Sequence, residues 1–367
     1  MPRSIQLTPR EGIERLAVYE PGRPMDEVAR AHGIDPAKLI KLASNENNLG
    51  PSPKAIEAMR DAAPKMHLYP DGGAYYLRKA LGEKLGVPPN FLLFGNGSNE
   101  LIEFLGHVFL EPGTNIVMSQ AAFIIYKLVA DAFGAETRMA PMRHFTHDLP
   151  AMAKLIDDNT RIIFVANPNN PTGTKVSNQE LRDFLDHVPP HVLIVLDEAY
   201  VELLPPQDQP PSTQWVLDGH PILVLRTFSK TYGLAGLRLG YAVADPAIIS
   251  LLNKFRQPFN VNAMALAAAL AALQDDEHVT HTRKLVQEGL AFFEQECFKL
   301  DLDTVPSSAN FLLIRTGNGR AHFEALQELG IITRPMDGYG LPEWLRITVG
   351  TQPENKRALA ALKEVLA

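Results

Sequence analysis

The sequence predicts an α/β fold, with a larger lobe built on a mainly parallel β-sheet covered by helices and a smaller α+β lobe. Three observations support this fold class. Between residues 115 and 244, short apolar runs alternate with helical segments. Several of these runs are too continuously apolar to be half exposed, which is typical of strands in a sheet covered on both faces. Beyond residue 261 the pattern changes, and 367 residues are enough for two lobes.

The first 110 residues are predicted to contain three helices, one short strand and a further helix. The first three helices are predicted at Met25 to His32 (closed by Gly33), from about Pro53 to Ala63, and up to Leu85. A strand from Phe91 to Phe94 then runs into Gly95-Asn96-Gly97-Ser98 and a helix with apolar residues at helical spacing. The free backbone N–H groups of such a turn favour a phosphate, although the same turn is common without a ligand.

Five apolar runs in the middle of the chain are predicted to be strands of the main sheet: Asn115 to Ser119, Arg161 to Asn167, His191 to Asp197, Ile222 to Phe228 and Gly240 to Ala244. Helices are predicted between them, for example from Ile125 to Phe133 and from Ser177 to Val188. The second of these opens with a capping box between Ser177 and Glu180. Such sheets bind ligands at the carboxyl ends of their strands, so polar motifs that follow strands are candidate site residues.

The last hundred residues predict the smaller lobe. A long helical region is predicted from Val261 to about Phe298, followed by strands at Asn310 to Arg315, Ile331 to Pro335 and Trp344 to Val349 and by helices at His322 to Leu329 and Pro353 to Leu366. We expect residues 46–260 to form the larger lobe. Residues 1–45 together with residues 261–367 are expected to form the smaller lobe.

The composition and charge of the chain indicate which binding partners and which cellular compartment to expect. The formal net charge is -7 and no basic residues cluster, so we expect neither nucleic acid nor membrane as a partner. The single Cys297 excludes an internal disulfide, and its phenylalanine neighbours favour a buried, unreactive thiol. The most apolar segment is too short to span a bilayer, and the N-terminus lacks the apolar region of a signal peptide. We therefore expect a cytoplasmic protein, and we assign no metal ligands.

Lys230 stands at the centre of the candidate chemistry. The apolar run that ends at Phe228 is followed by Ser229, Lys230 and a glycine-broken loop that carries Arg238. A lysine delivered into a cleft at the end of a strand can lose its charge by desolvation and act as an amine nucleophile. Taken alone, the same lysine could lie in a surface loop.

Two further motifs follow strands. Asp197 comes directly after five apolar residues, where burial is costly unless a cation such as a pyridinium nitrogen pairs with it. A helix cap or a salt bridge would also explain this aspartate. The segment from Asn167 to Gly173 contains two prolines and a glycine, which make it either a loop that aims an asparagine amide or a stiff connector.

Together these motifs match one cofactor. Pyridoxal 5′-phosphate requires four kinds of group. It needs a lysine for its aldehyde, a carboxylate for its ring nitrogen, amide and hydroxyl groups for its phenolate oxygen, and a cradle for its phosphate. On these residues, the sequence resembles the fold-type I, aspartate-aminotransferase-like pyridoxal-phosphate enzymes over almost its whole length. That resemblance implies a seven-stranded main sheet and a homodimer with shared active sites.

The resemblance also implies a role for each matching residue. Lys230 would form the Schiff base and shuttle the proton, Asp197 would pair with the pyridine nitrogen, and Asn170 and Tyr200 would bind the phenolate oxygen. The remaining cofactor residues would be Ser98, Asn99, Thr227, Ser229 and Arg238 at the phosphate, Phe123 on the ring, and Tyr69 at the phosphate of the neighbouring subunit.

Within this superfamily the sequence is most similar to the histidinol-phosphate aminotransferases. The matching stretches are Ser44 to Asn47, Tyr69 to Gly72, Gly95 to Glu100, Ala166 to Gly173, the Lys230 segment, Ala309 to Phe311, and Trp344 to Gly350. The resemblance implies that Arg346 binds the substrate phosphate. We expect Arg334 to be its partner, because two arginines suit a phosphate dianion through forked hydrogen bonds, although Arg334 could instead form a surface ion pair. Asn47 and Tyr19 are further substrate-side candidates, although Tyr19 could equally belong to the core. Asn48 and Asn99 depart from the family pattern, in which proline and aspartate are usual.

The implied reaction is transamination of L-histidinol phosphate with 2-oxoglutarate, which gives imidazole acetol phosphate and L-glutamate in histidine biosynthesis. An aromatic amino-acid aminotransferase of the same lineage is the nearest alternative, and a phosphorylated-amino-acid decarboxylase is a more distant one. A non-catalytic regulator that binds pyridoxal phosphate would need a DNA-binding module. The roughly 45 residues before the first motif are too few to supply one.

Overall fold

The computed structural model describes Gly12, Ile13, Leu16 and residues 24–367. The helices are α1 Met25–His32, α2 Pro53–Ala62, α3 Tyr75–Leu85, α4 Ser98–Phe109, α5 Ile125–Ala132, α6 Leu149–Ala153, α7 Asn178–His187, α8 Ser212–Leu217, α9 Pro246–Asn253, α10 Ala263–Ala272, α11 Asp276–Lys299, α12 Gly319–Glu328 and α13 Gln352–Leu366. The strands are β1 Ile40–Lys41, β2 Leu92–Gly95, β3 Asn115–Ser119, β4 Glu136–Ala140, β5 Met142–Arg143, β6 Thr146–His147, β7 Thr160–Ala166, β8 Leu193–Asp197, β9 Ile222–Thr227, β10 Gly240–Ala244, β11 Thr304–Val305, β12 Phe311–Arg315, β13 Ile331–Ile332, β14 Arg334–Pro335 and β15 Trp344–Thr348.

The main sheet has seven strands in the order β2-β10-β9-β8-β7-β3-β4. Only β10 runs antiparallel to its neighbours β2 and β9, and the other pairs are parallel. Strands β8, β9 and β10 are buried along their whole length, and separate apolar cores lie against the two faces of the sheet. The predicted α/β class with a mainly parallel, doubly covered sheet is confirmed.

Strand β4 is a sheet element that the sequence pattern did not predict. It is an edge strand, paired only with β3, and its sequence Glu-Thr-Arg-Met-Ala buries only the last residue. An edge strand needs no continuous apolar run, because one side and much of each face meet water. The sequence of β4 therefore shows neither the alternation of apolar and polar residues nor the continuous apolar run that predicts a strand.

A second, antiparallel sheet has the strand order β11-β12-β15-β14 and packs in a separate core with α11, α12 and α13. Strand β1 pairs in parallel with β13 and so attaches the N-terminal segment to the C-terminal part of the chain. The prediction of one strand from Ile331 to Pro335 was wrong. Ile331 and Ile332 pair with β1, whereas Arg334 and Pro335 pair with β15, so Thr333 separates strands of two different sheets.

The predicted helical region after Val261 is also interrupted. Helix α10 ends at Ala272 and α11 begins at Asp276, with the Asp275 side chain accepting a hydrogen bond from the backbone N–H of His278. The buried alanines of α10 belong to the core of the larger lobe, whereas α11 packs in the smaller core. This packing favours a lobe boundary near residue 275, and the boundary after residue 260 stays a prediction.

Cys297 is fully buried in α11, as its apolar neighbours indicated. Burial raises the pKa of its thiol to about 11, so the thiolate is not formed at neutral pH. Its neighbour Phe298, by contrast, is 85% exposed. Within the described residues, no helix is long and apolar enough to cross a membrane.

Candidate active site

Lys230 lies just past the carboxyl end of β9, at the ligand-binding edge of the sheet. Its Nζ donates a hydrogen bond to the carbonyl oxygen of Ser44 at 3.2 Å and lies 5.8 Å from the centre of the Tyr200 ring. Burial lowers the pKa of the Lys230 amine to about 8, with the nearby Arg346 guanidinium acting in the same direction. Roughly a fifth of this amine is therefore neutral at about pH 7.4, far more than in an ordinary lysine.

Asp197 is the last residue of β8, the strand next to β9, and only 5% of it is exposed. One carboxylate oxygen accepts a hydrogen bond from the Tyr126 hydroxyl at 2.6 Å, and the other accepts from the backbone N–H of Ala199 at 3.1 Å. Burial raises the pKa of the Asp197 carboxyl, and these hydrogen bonds oppose the rise. Among the described residues, no cationic side chain lies within ion-pair distance of Asp197. The Lys230 amine, farther away, is the nearby positive charge that helps to lower the pKa of this carboxyl.

Tyr126 is a site residue that sequence reasoning missed. It is fully buried on α5, three positions after Phe123, and its ring stacks on Phe164 at a centroid distance of 4.3 Å. Burial and the neighbouring Asp197 raise the pKa of its phenol well above the usual value, so it remains a proton donor. Phe123 precedes the first residue of α5, so no helical spacing links it to Tyr126, and no local pattern separates Tyr126 from an ordinary core aromatic.

A candidate anion cradle lies where β2 and β9 end and the antiparallel β10 begins. Gly240 of β10 pairs with both Gly95 of β2 and Thr227 of β9, and α4 starts at Ser98 immediately beyond. No side chain caps this helix start, so its backbone N–H groups are available to an anion. Thr227 Oγ1 accepts a hydrogen bond from the backbone N–H of Ser229 at 3.1 Å, which fixes both hydroxyl residues at the same strand end.

Glycines keep this cradle open and bring Arg238 into it. Gly97 has a φ of 78°, and a Cβ added to it would lie 2.6 Å from Nη2 of Arg238. A Cβ on Gly240 would lie 2.4 Å from the backbone nitrogen of Ser98. The backbone can approach this closely only because both residues lack side chains.

The opposite end of the pocket contains Asn170, Tyr200 and Arg346. Nη1 of Arg346 donates to Oδ1 of Asn170 at 2.6 Å, and Nη2 donates to the carbonyl oxygen of Ala43 at 2.8 Å. The hydroxyl of buried Tyr200 accepts a hydrogen bond from the side-chain amide of Asn45 at 3.0 Å. Burial raises the pKa of Tyr200 to about 12, so its hydroxyl is protonated at neutral pH.

Arg334 and Arg346 are directly paired residues of the neighbouring antiparallel strands β14 and β15. Their side chains therefore lie on the same face of the smaller sheet, where two like charges opposite each other are unfavourable. A bound anion between them would remove that repulsion. Guanidinium groups suit a carboxylate or phosphate because they donate paired hydrogen bonds.

The remaining sequence candidates have varied surroundings. The Asn47 amide donates to the Thr231 carbonyl and the Thr282 hydroxyl, each at 3.0 Å, so it ties α11 to the Lys230 loop. Its role towards a substrate stays a prediction.

Phe123 is partly buried, with its ring edge to Tyr126 at 5.6 Å. Tyr69 is 84% exposed and stacks on Phe259, whereas Tyr19 lies outside the described residues. Asn48 is half-buried and Asn99 exposed, beside the pocket segment and at the start of α4 respectively.

Comparison with known proteins identifies the family. Residues 37–362 match the model of the family described as aminotransferase class I and II. The chain belongs to the class I and II aminotransferases. Histidinol-phosphate aminotransferase 2 of Pseudomonas fluorescens is 47% identical over 97% of this chain and 96% of its own length. Histidinol-phosphate aminotransferase of Akkermansia muciniphila is 46% identical over 99% of this chain and its whole length.

Solved aminotransferase structures have the same fold. Histidinol-phosphate aminotransferase from Sinorhizobium meliloti, crystallised in complex with pyridoxal-5′-phosphate, superposes with a TM-score of 0.90 at 26% identity. The superposition covers 99% of this chain and 98% of that one. Aspartate aminotransferase from Thermus thermophilus with maleate superposes with a TM-score of 0.84 at 20% identity, over 98% of this chain and all of the other, which supports the fold.

Proposed function

We propose that the chain catalyses pyridoxal-phosphate-dependent transamination of L-histidinol phosphate with 2-oxoglutarate, which gives imidazole acetol phosphate and L-glutamate in histidine biosynthesis. The observation that carries this proposal is that Lys230 and Asp197 lie at the ends of neighbouring strands, and that Arg346, paired with Arg334 across β14 and β15, is close enough to help lower the pKa of Lys230. The full-length relatives at 46–47% identity, named for this activity, support the same substrate.

The pocket fits pyridoxal phosphate at both ends. The glycine-lined cradle beside Arg238 would accept the phosphate, because a Cβ at Gly97 or Gly240 would close it. The buried carboxylate of Asp197 has no ion-pair partner among the described residues, and a protonated ring nitrogen would supply one. Bound there, pyridoxal phosphate would supply an electron-withdrawing ring that stabilises negative charge on the substrate α-carbon.

Each residue then has a separate task. Lys230 would hold the aldehyde carbon and later move the proton of the substrate α-carbon, for which its lowered pKa suits it. Asp197, supported by Tyr126, would hold the proton of the ring nitrogen. Asn170 and Tyr200 would donate hydrogen bonds to the phenolate oxygen. The proposed phosphate ligands are Ser98, Asn99, Thr227, Ser229 and Arg238, and Phe123 would lie against the ring.

The two arginines would bind the phosphate of the substrate. A phosphate dianion carries enough charge to offset two guanidinium groups that face each other across β14 and β15. The contact between Arg346 and Asn170 would bring this anion close to the reacting centre. Asn47 and Tyr19 remain proposed substrate-side residues.

A second copy of the chain is the proposed partner. Tyr69, Tyr75 and Tyr76 are mostly exposed, as is Leu68, and the Tyr69 ring stacks on the exposed Phe259. An exposed aromatic surface of this kind favours association. We infer a homodimer in which Tyr69 reaches the phosphate site of the partner.

The division into two lobes and the cytoplasmic location also stay predictions.

The substrate is tested by a half-reaction. Protein loaded with pyridoxal phosphate should convert it to pyridoxamine phosphate when L-histidinol phosphate is added, and much more slowly with L-phenylalanine. Equal rates with both donors would instead support the aromatic aminotransferase alternative. No conversion with L-histidinol phosphate would refute the proposal.

Arg334→Ala tests the phosphate-binding role directly. Loss of one charge-assisted contact to the phosphate should lower kcat/KM for L-histidinol phosphate by about 10- to 100-fold. The rate with L-phenylalanine should change little, because that donor lacks the phosphate. Arg315→Ala is the matched control, since Arg315 lies on neighbouring β12 and pairs with surface carboxylates. An equal loss for both donors in Arg334→Ala would contradict a phosphate-specific role.

A further inference from the structure

Residues 43–45 touch three members of the site within one short segment. The carbonyl oxygens of Ala43 and Ser44 accept hydrogen bonds from Arg346 and Lys230 respectively. The next residue, Asn45, uses its side chain instead, and donates from Nδ2 to the Tyr200 hydroxyl at 3.0 Å. The functions assigned above give Asn45 no role.

The orientation of the Asn45 amide is determined by Thr348. The backbone N–H of Asn45 donates to Thr348 Oγ1 at 3.0 Å, and this hydroxyl donates in turn to Oδ1 of Asn45 at 3.2 Å. Asn45 is 2% exposed and Thr348 1% exposed, so water does not substitute for these partners. A reversed amide would leave the buried Thr348 proton without an acceptor among the described residues.

This orientation decides what the Tyr200 hydroxyl can do. A phenol has one proton and two acceptor lone pairs, and the Asn45 N–H already occupies a lone pair. The amide group in contact with the hydroxyl is a donor, so it cannot accept the phenol proton. The proton must therefore turn away from Asn45.

We propose that Asn45 is a positioning residue that directs the Tyr200 proton into the pocket, towards the phenolate oxygen of bound pyridoxal phosphate. The inference rests on the proposed function, because it assigns Tyr200 as a donor to that oxygen. Asparagine meets both local demands. It donates the required N–H, and it tolerates the φ of 55° found at this position.

Asn45→Asp is the sharpest test, because it keeps the size and the backbone tolerance but replaces the donor with an acceptor. The carboxylate would attract the Tyr200 proton away from the pocket. The readout is the pH midpoint at which the visible absorption of the bound cofactor changes. A donor to the phenolate oxygen favours the charged form, so its loss should raise this midpoint by about one pH unit.

The negative charge that Asn45→Asp introduces would raise the midpoint too, so the substitution must be repeated in Tyr200→Phe. If Asn45 acts through the hydroxyl, Asn45→Asp shifts the midpoint less in Tyr200→Phe than in the otherwise unchanged protein. Equal shifts in both backgrounds would overturn the inference. Thr348→Val frees the amide to reverse without changing its charge, and should raise the midpoint only when Tyr200 is present.

The same experiment separates this inference from the proposed function. If the unsubstituted protein shows no visible absorption with pyridoxal phosphate, or none that changes on adding L-histidinol phosphate, the proposed function fails. If those responses are normal but neither Asn45→Asp nor Thr348→Val depends on Tyr200, only the role of Asn45 fails.

Discussion

At the scale of single residues, the pKa of Lys230 leads to a measurable pH dependence. Because its pKa is lowered to about 8, the amine loses its proton as the pH rises through 8 rather than through about 10.4, where an ordinary lysine titrates. In cofactor-free protein, the acetylation rate of Lys230 should therefore reach half its maximum near pH 8. Peptide mapping by mass spectrometry measures this rate beside an unstructured lysine peptide. A midpoint near 10 would contradict the desolvated site.

His147 provides a second prediction at this scale. It is buried, with Nε2 donating to the Ala166 carbonyl and Nδ1 accepting from the Ser119 hydroxyl, and burial lowers its pKa to about 4. Between pH 6.5 and pH 4 the unfolded chain binds a proton that the folded chain does not, so stability falls as the pH falls through that window. From pH 6.5 to pH 5 the loss should be about 1.5 kcal/mol.

Chemical denaturation at the two pH values measures this loss. His147→Asn retains a short amide in place of the imidazole but cannot titrate, so it should lack this part of the pH dependence. The difference between the two proteins isolates His147 from the carboxylates that titrate below pH 5. An identical pH dependence in both proteins would show that His147 gains its proton in the folded state as readily as in the unfolded chain.

Residue types alone indicated Lys230, Asp197 and Asn170 as one candidate site, because each stands at or just after the end of a buried strand. Their chemical roles stay predictions. Tyr126 and Asn45 were not assigned a role. Tyr126 looks like a core aromatic at helical spacing, and only its 2.6 Å contact with Asp197 distinguishes it. The task of Asn45 depends on Thr348, more than three hundred residues away, and no local pattern encodes that contact.

At the scale of elements, the junction of β2 with α4 gives a prediction about cofactor affinity. Gly97→Ala would place a Cβ against the Arg238 guanidinium in a backbone conformation that alanine disfavours. Displacement of Arg238 and of the first N–H groups of α4 should weaken binding of pyridoxal phosphate by more than about 10-fold. Equilibrium dialysis measures the dissociation constant.

Gly113→Ala is the matched control for Gly97→Ala. Gly113 also has a positive φ, of 93°, but a Cβ there would meet nothing within 4 Å. Both variants should therefore lose similar backbone stability, and only Gly97→Ala should lose affinity for pyridoxal phosphate. Equal affinities in the two variants would mean that Arg238 and the helix start do not hold the phosphate.

Elements with a strong local signal were predicted well, and the failures share one cause. The capping box at Ser177 and Glu180 and the bounds of β3 and β10 agree with the sequence pattern. The split between β13 and β14 and the break before α11 depend on which lobe each piece packs against. Periodicity reports how a segment is buried and contains no information about which core buries it.

At the scale of the whole molecule, shared active sites can be tested by mixing inactive subunits. Lys230→Ala removes the amine that holds the cofactor aldehyde, and Tyr69→Ala removes the side chain proposed to reach the partner's phosphate site. Each homodimer should be impaired at both sites. In a mixed dimer, however, one site combines Lys230 from one subunit with Tyr69 from the other and is intact.

Random exchange of equal amounts makes about half the dimers mixed, so roughly a quarter of all sites should be intact. Mixing the two variants under mild denaturation, followed by refolding with pyridoxal phosphate, should therefore restore activity towards about a quarter of the unsubstituted level. Sites contained within single subunits would give no recovery beyond the activity of Tyr69→Ala alone. Tyr69 is 84% exposed in a single chain, so its side chain is accessible to a second subunit, which is the physical reason to expect recovery.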